Sequence, residues 1–176
     1  EGPAGGGFDV GAPAPGGGGG GCFKAGTFVA AAISADGRIT YRSIETFRVG
    51  DEVLGVAFDA EGNPVLKAGR VLRPLRHEAK QYPFSRLIAA DGTAIVGTDN
   101  HVIITSARNE GVRMEDLSRG RTIVTVVGTP QWDSVAEVAS LADEVTAVFN
   151  IETTTDNYLV SQDGKGWVLV HNGGGK

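Results

Sequence analysis

Between residues 27 and 170 the apolar positions come in short bursts, each closed by Gly, Pro, Asn or Asp. Thr27–Ile33 is rich in β-branched and small apolar residues, Asp36-Gly37 is a turn signal, and Arg38–Arg42 alternates polar with apolar, which together predict a hairpin. Val53–Phe58 and Val65–Leu75 predict strands around the turn 59–64, and Phe84–Ala90 and Thr93–Val96 a second hairpin about Asp91-Gly92. Further strands are predicted at Val102–Thr105, Arg121–Val127, Thr146–Thr153, Tyr158–Ser161 and Trp167–Val170, the last two around Asp163-Gly164. Ser43–Phe47 and Val112–Leu117 each suit one helical turn. Ser134–Ala142 fits helix or strand, because Val135, Val138, Ala139 and Ala142 also share a helical face. Many short strands at regular spacing predict an all-β fold built of hairpins.

Outside residues 22–172 this pattern stops. Residues 1–21 hold eleven Gly, three Pro and two charges. Such a stretch buries too little apolar surface to offset the entropy of ordering, and is expected to be a flexible N-terminal flank. Residues 173–176 form a short Gly-rich C-terminal flank. The chain therefore divides into 1–21, a folded unit at 22–172, and 173–176, and 176 residues suit one domain.

Charge and cysteine content narrow the classes. A net charge of −5 argues against nucleic acid or a membrane surface as partner, and the Arg70, Arg73, Arg76 series is offset by Glu78. No apolar run approaches the ~20 residues of a membrane span, and the first residues lack the basic and apolar runs of a signal peptide. The single cysteine, Cys22, excludes an internal disulfide framework and a Cys-based zinc site. No cofactor or metal is expected, and the unit is expected to be a monomer. His77, in a charged stretch, reads as solvated surface, and Trp132 and Trp167 as core.

The chemistry lies at the two ends of the folded unit. Its last apolar run closes in His171-Asn172. The side-chain nitrogen of an Asn can attack its own main-chain carbonyl through a five-membered ring, cutting the chain after the Asn and leaving a succinimide, and a neighbouring His can move the protons. At the other end, Cys22 opens the first apolar segment. A thiol there can attack the carbonyl of Gly21 and convert the Gly21–Cys22 amide to a thioester.

Four pieces of sequence carry a resemblance: Cys22-Phe23-Lys24-Ala25-Gly26-Thr27; Gly97-Thr98-Asp99-Asn100-His101; Val148-Phe149-Asn150-Ile151 with Asn157-Tyr158-Leu159-Val160; and Val168-Leu169-Val170-His171-Asn172. With Ile44, Phe47, Gly50 and Asp51 they stand in the order found in the hedgehog–intein (Hint) superfamily, and the chain resembles its bacterial intein-like domains over residues 22–172. The resemblance implies a pseudo-two-fold β-horseshoe of short antiparallel strands. It implies a single-turnover, self-processing domain whose partners are its own flanking polypeptides. It implies Cys22 as nucleophile, His101 as the group that protonates or distorts the Cys22 nitrogen, Thr98 as holder of the oxyanion or the amide, and His171 with Asn172 at the second cut.

Two positions depart from the family's pattern. A His often precedes the Tyr158-Leu159-Val160 strand; here the place reads Asp156-Asn157, and Asp156 or Asn150 is the candidate substitute in Asn cyclisation. A splicing intein has Cys, Ser or Thr after its terminal Asn; here it is Gly173, which has no side-chain nucleophile. Ordinary transesterification is then impossible, so cleavage of both flanks is expected over splicing, with an external thiol or amine able to take the thioester. Two other readings stay open: a Cys/His hydrolase acting in trans through Cys22 and His101, and a decayed β scaffold without chemistry.

Overall fold

The structure is a computed structural model that describes residues 21–172. The expected flexible flank, apart from Gly21, and the C-terminal flank lie outside the described residues. Fourteen strands and two short 3₁₀ turns make up the described chain. β1 (Phe23–Lys24), β12 (Glu144–Thr153), β5 (Pro64–Tyr82) and β4 (Glu52–Phe58) form one antiparallel sheet in that order. A second runs β3 (Ile39–Ser43), β2 (Phe28–Ile33), β13 (Asn157–Ser161), β14 (Trp167–His171), β10 (Thr122–Val127), β11 (Thr129–Ser140), β6 (Phe84–Ala89), β7 (Ala94–Thr98). β8 (Val102–Ile104) pairs with β14 and with β9 (Gly111–Arg113).

The two halves repeat each other bond for bond. In the first, Ile44 donates to the Thr27 carbonyl, Phe47 to Ile44, Asp51 to Arg48 and Gly50 to Val71, and Val71 donates back to Asp51. In the second, Met114 donates to His101, Leu117 to Met114, Arg121 to Ser118 and Gly120 to Val135, and Val135 donates back to Arg121. The 3₁₀ turns Ile44–Thr46 and Met114–Asp116 occupy equivalent places, flanked by extended residues with nearly identical angles. Each following turn ends in a glycine in the left-handed region, Gly50 at φ 89° and Gly120 at φ 90°, where an L side chain would be strained. This is the expected pseudo-two-fold, and it makes Thr27 and His101 equivalent positions.

Long strands exchange partners between the halves. β5 pairs with β4 up to Arg70, then continues alongside β12 as far as Tyr82. β11 likewise pairs first with β10 and then with β6. The sequence ends this strand at Leu75, seven residues short of its observed end at Tyr82. Pro74 sits within the ladder opposite Ile151. The ambiguous stretch 134–142 is strand as far as Ser140. A register shift between Val135 and Glu137 explains its helical look: the extra residue puts Val135 in the core and Val138 against the same cluster, three positions apart on one face.

The main core joins both halves through Val29, Val53, Leu87, Ile103, Ile123, Ile151, Tyr158 and Val170. Trp167 is fully buried in a second cluster, and Trp132 stacks on Phe58 while donating to the Gly62 carbonyl at 2.8 Å, so both tryptophans lie in or at the core. His77 departs from its reading as open surface. It is half-buried opposite Val148, and burial, with the nearby Lys80 charge, lowers its imidazole to about 4.

Candidate functional site

Cys22 enters the fold beside the end of β7. Its main-chain N–H donates to Thr98 Oγ1 at 2.8 Å, and its carbonyl accepts from the Thr98 N–H at 2.9 Å, so one threonine clamps the residue on both sides. The Thr98 hydroxyl proton goes to Asn100 Oδ1 at 2.8 Å, which leaves its lone pairs toward the Cys22 amide. The thiol packs with Phe84 and Val148, and its burial pushes it well above the ordinary thiol range.

The other end of the Gly21–Cys22 peptide is held as firmly. Asn150 Nδ2 donates to the Gly21 carbonyl. Its flip is not ambiguous: Ile151 N–H, an obligate donor, meets Asn150 Oδ1 at 2.8 Å, so the nitrogen must face Gly21. The Tyr158 hydroxyl also donates to Asn150 Oδ1, and full burial keeps that phenol protonated. Asn150 therefore touches the Gly21–Cys22 peptide, whereas the sequence paired it with Asn172.

His101 lies between the two ends. It is 2% exposed, its ring centroid is 4.4 Å from that of Phe23, and neither ring nitrogen has a hydrogen-bond partner among the described residues. Burial lowers its imidazole to about 3, against the weaker pull of the nearby His171 and Gly21 carbonyls. A Cβ on Gly21 would lie 2.1 Å from His101 Cα, so Gly21 is required by contact. The sequence credits this glycine to a sharp bend; the structure adds the close approach of His101.

β14 delivers the second bond. It pairs with β13, placing Asn157 opposite His171, and with β8, placing Val170 opposite Ile103. Continued by two residues, the latter register brings Asn172 alongside His101. His171 Nδ1 lies 3.1 Å from the Asn172 carbonyl oxygen. The Asn172 N–H donates to the Asp156 carbonyl at 3.2 Å. Asp156, at φ 63°, thus takes part through its backbone. Asn172 Oδ1 accepts from Thr153, by N–H at 2.5 Å and by hydroxyl at 2.8 Å.

No protein-family model matches the chain, and no curated protein matches it. Solved structures do. A bacterial intein-like domain from Clostridium thermocellum matches with a TM-score of 0.63 at 23% identity, over 86% of this chain and 98% of that one. The gp41-1 intein matches at 0.60 and 18%, over 87% and 99%. A DnaB intein from Synechocystis sp. PCC 6803 matches at 0.61 and 18%, over 86% and 98%. The chain has the Hint fold of the inteins.

Within this intein fold the structure gathers Gly21, Cys22, Thr98, His101, Asn150, His171 and Asn172 around one buried centre. Gly173 lies outside the described residues. No cluster of His, Cys, Asp or Glu able to hold a metal occurs among the described residues. Two members of the site, Tyr158 and Thr153, escaped the sequence reading. Tyr158 reads as core in the run Tyr158-Leu159-Val160, and Thr153 is one of three consecutive threonines, with nothing in spacing to single it out.

Proposed function

We propose that residues 22–172 are a single-turnover self-processing domain that severs its own flanks. The observation that carries this reading is the grip on the Gly21–Cys22 peptide, with an amide donor on its carbonyl oxygen and a hydroxyl acceptor on its nitrogen. Cys22 Sγ attacks the Gly21 carbonyl carbon, forming the C–S bond. Negative charge collects on the oxygen held by Asn150, whose donor is already in place and needs no reorganisation. The C–N bond breaks, and the thiol proton passes to the departing Cys22 nitrogen. Burial disfavours both thiolate and imidazolium, so Cys22 and His101 rest as a neutral pair. A neutral imidazole can accept the thiol proton and return it to the amine.

At the other end, Asn172 Nδ2 attacks its own carbonyl carbon while His171 Nδ1–H donates to the oxygen. The bond to Gly173 breaks. The proton lost by Nδ2 ends on the Gly173 amine, and a succinimide remains. With glycine at 173 there is no side chain to receive the acyl group, so separate fragments are the main products and an external thiol or amine takes the thioester. Burial of Cys22, at 2% exposure, speaks against a hydrolase serving outside substrates.

The test is intact mass spectrometry of the full chain at neutral pH, with and without dithiothreitol. Thiol should release residues 1–21, and the Cys22→Ala variant should not release them. Equal release by Cys22→Ala would refute the thioester, and an indefinitely stable parent chain would refute self-processing.

A further inference from the structure

Asn172 faces a chemical obstacle. A carboxamide nitrogen is a poor nucleophile because its lone pair is delocalised onto oxygen. It becomes reactive as it loses a proton, and the charge then gathers on Oδ1. Donors already pointing at Oδ1 stabilise that form and make the Nδ2–H groups more acidic.

We propose that Thr153 is a catalytic residue of the C-terminal cut, its N–H and hydroxyl forming a two-donor cradle for Asn172 Oδ1. The inference rests on the reading that Asn172 cyclises. Three observations carry it. The orientation is fixed, because the Thr153 N–H at 2.5 Å can only donate, so the atom it meets must be the carboxamide oxygen and the nitrogen must be the free arm. The hydroxyl proton is available for the same oxygen. Thr153 Oγ1 has the Asn157 carbonyl at 3.2 Å and Thr155 Oγ1 at 3.1 Å, but Asn172 Oδ1 is nearest at 2.8 Å, and the Asn157 carbonyl is served by Thr155 at 2.7 Å. Thr153 is also fully buried, so water does not compete for these bonds.

The same geometry accounts for the missing histidine at 156. Asp156 supplies a main-chain carbonyl that seats the Asn172 N–H, and Thr153 takes up the side chain. The step balances without a further reagent: the Nδ2–C bond forms, the C–N bond to Gly173 breaks, and one proton moves from Nδ2 to the leaving nitrogen.

The test uses the full chain with tagged flanks on a Cys22→Ala background, which silences the N-terminal step. Thr153→Val keeps the backbone donor and removes the hydroxyl; Thr153→Ser keeps both. Loss of the hydroxyl should slow the C-terminal cut by about 10²-fold, the lower end for removing one such donor, and Ser should restore the rate to within a few fold. On an Asn172→Ala background, thiol-triggered release of residues 1–21 should be the same with Thr or Val at 153. Equal cutting by Val and Thr, or parallel loss at both ends, would overturn the proposal. A chain that never cuts after Asn172 overturns the functional reading instead. The Thr153 cradle is then decided by base-catalysed hydrogen exchange of the Asn172 side-chain NH₂, followed by NMR, which must slow in Thr153→Val and whose indifference to that change would sink it.

Discussion

Adding one methyl group at Gly21 tests whether the N-terminal bond is positioned by contact. In Gly21→Ala the new Cβ would fall 2.1 Å from His101 Cα, 2.4 Å from its Cβ and 2.6 Å from its N, and must retreat by about 1.3 Å to reach the 3.4 Å of ordinary contact. His101 cannot make that room. Its ring packs on Phe23, its N–H is tied to the Thr98 carbonyl and its carbonyl to Met114. Gly21 is held from the Cys22 side and by Asn150, so relief comes from residue 21, which carries its carbonyl away from the Asn150 amide. A misplacement of about 1 Å at a reacting centre costs on the order of 10² in rate. The assay is dithiothreitol-triggered release of residues 1–21 against time, with thermal unfolding measured in parallel. Release should slow by about 10²-fold while the unfolding midpoint hardly changes, since no core contact is lost. Wild-type release from Gly21→Ala, with His101 ring resonances unshifted in NMR, would refute the argument.

Asn150→Ala should slow thioester formation by about 10²–10³-fold, yet leave the Asn172 cut intact on a Cys22→Ala background; both rates are read by mass spectrometry. Stability should fall on mild acidification. His101 titrates near 3 when folded and near 6.5 when unfolded, so below about 6.5 the unfolded chain binds a proton that the folded one refuses. Its contribution is complete above 6.5 and amounts to about 2 kcal/mol lost by pH 5. Half-buried His77 acts in the same direction but less, because solvent screens it. Denaturant unfolding at pH 7 and pH 5 checks this, and His101→Asn should flatten most of the slope. The Gly173→Cys substitution should raise the ligated product over the free flanks, by supplying a tethered nucleophile; equal ligation by the parent chain and the Gly173→Cys variant would count against that.

The fold was legible where local chemistry and tertiary pairing agree. Asp36-Gly37, Asp91-Gly92 and Asp163-Gly164 mark real turns, and Gly37, Gly92 and Gly164 all take positive φ. It was illegible where one strand serves two neighbours. Residues 73–82 are polar because they lie on an outer strand beside β12, and polarity in an outer strand looks like a loop. The helical spacing around Val135 came from a bulge, which no periodicity count distinguishes from a turn of helix. In the site, Cys22, Thr98, His101, His171 and Asn172 carry chemistry in their residue types. Asn150 was noticed but joined to Asn172, because only the register of β1 against β12, Phe23 opposite Phe149, places it beside Gly21. Thr153 was invisible because its contact with Asn172 depends on which way a carboxamide is turned.

The strand that ends at His171, just before Asn172, lies inside its sheet, between β13 and β10 with β8 alongside. Its neighbours come from both halves, and the exchange of β6 and β12 means that neither half completes its own pairing. His171 and Asn172 are therefore seated only when β13 and β8 have both paired with β14. Under the proposed function, that shared pairing works as a safety catch. A partly folded chain would hold Cys22 and Asn172 without the hydrogen bonds that seat them, so under the proposed function the flanks are released only after folding.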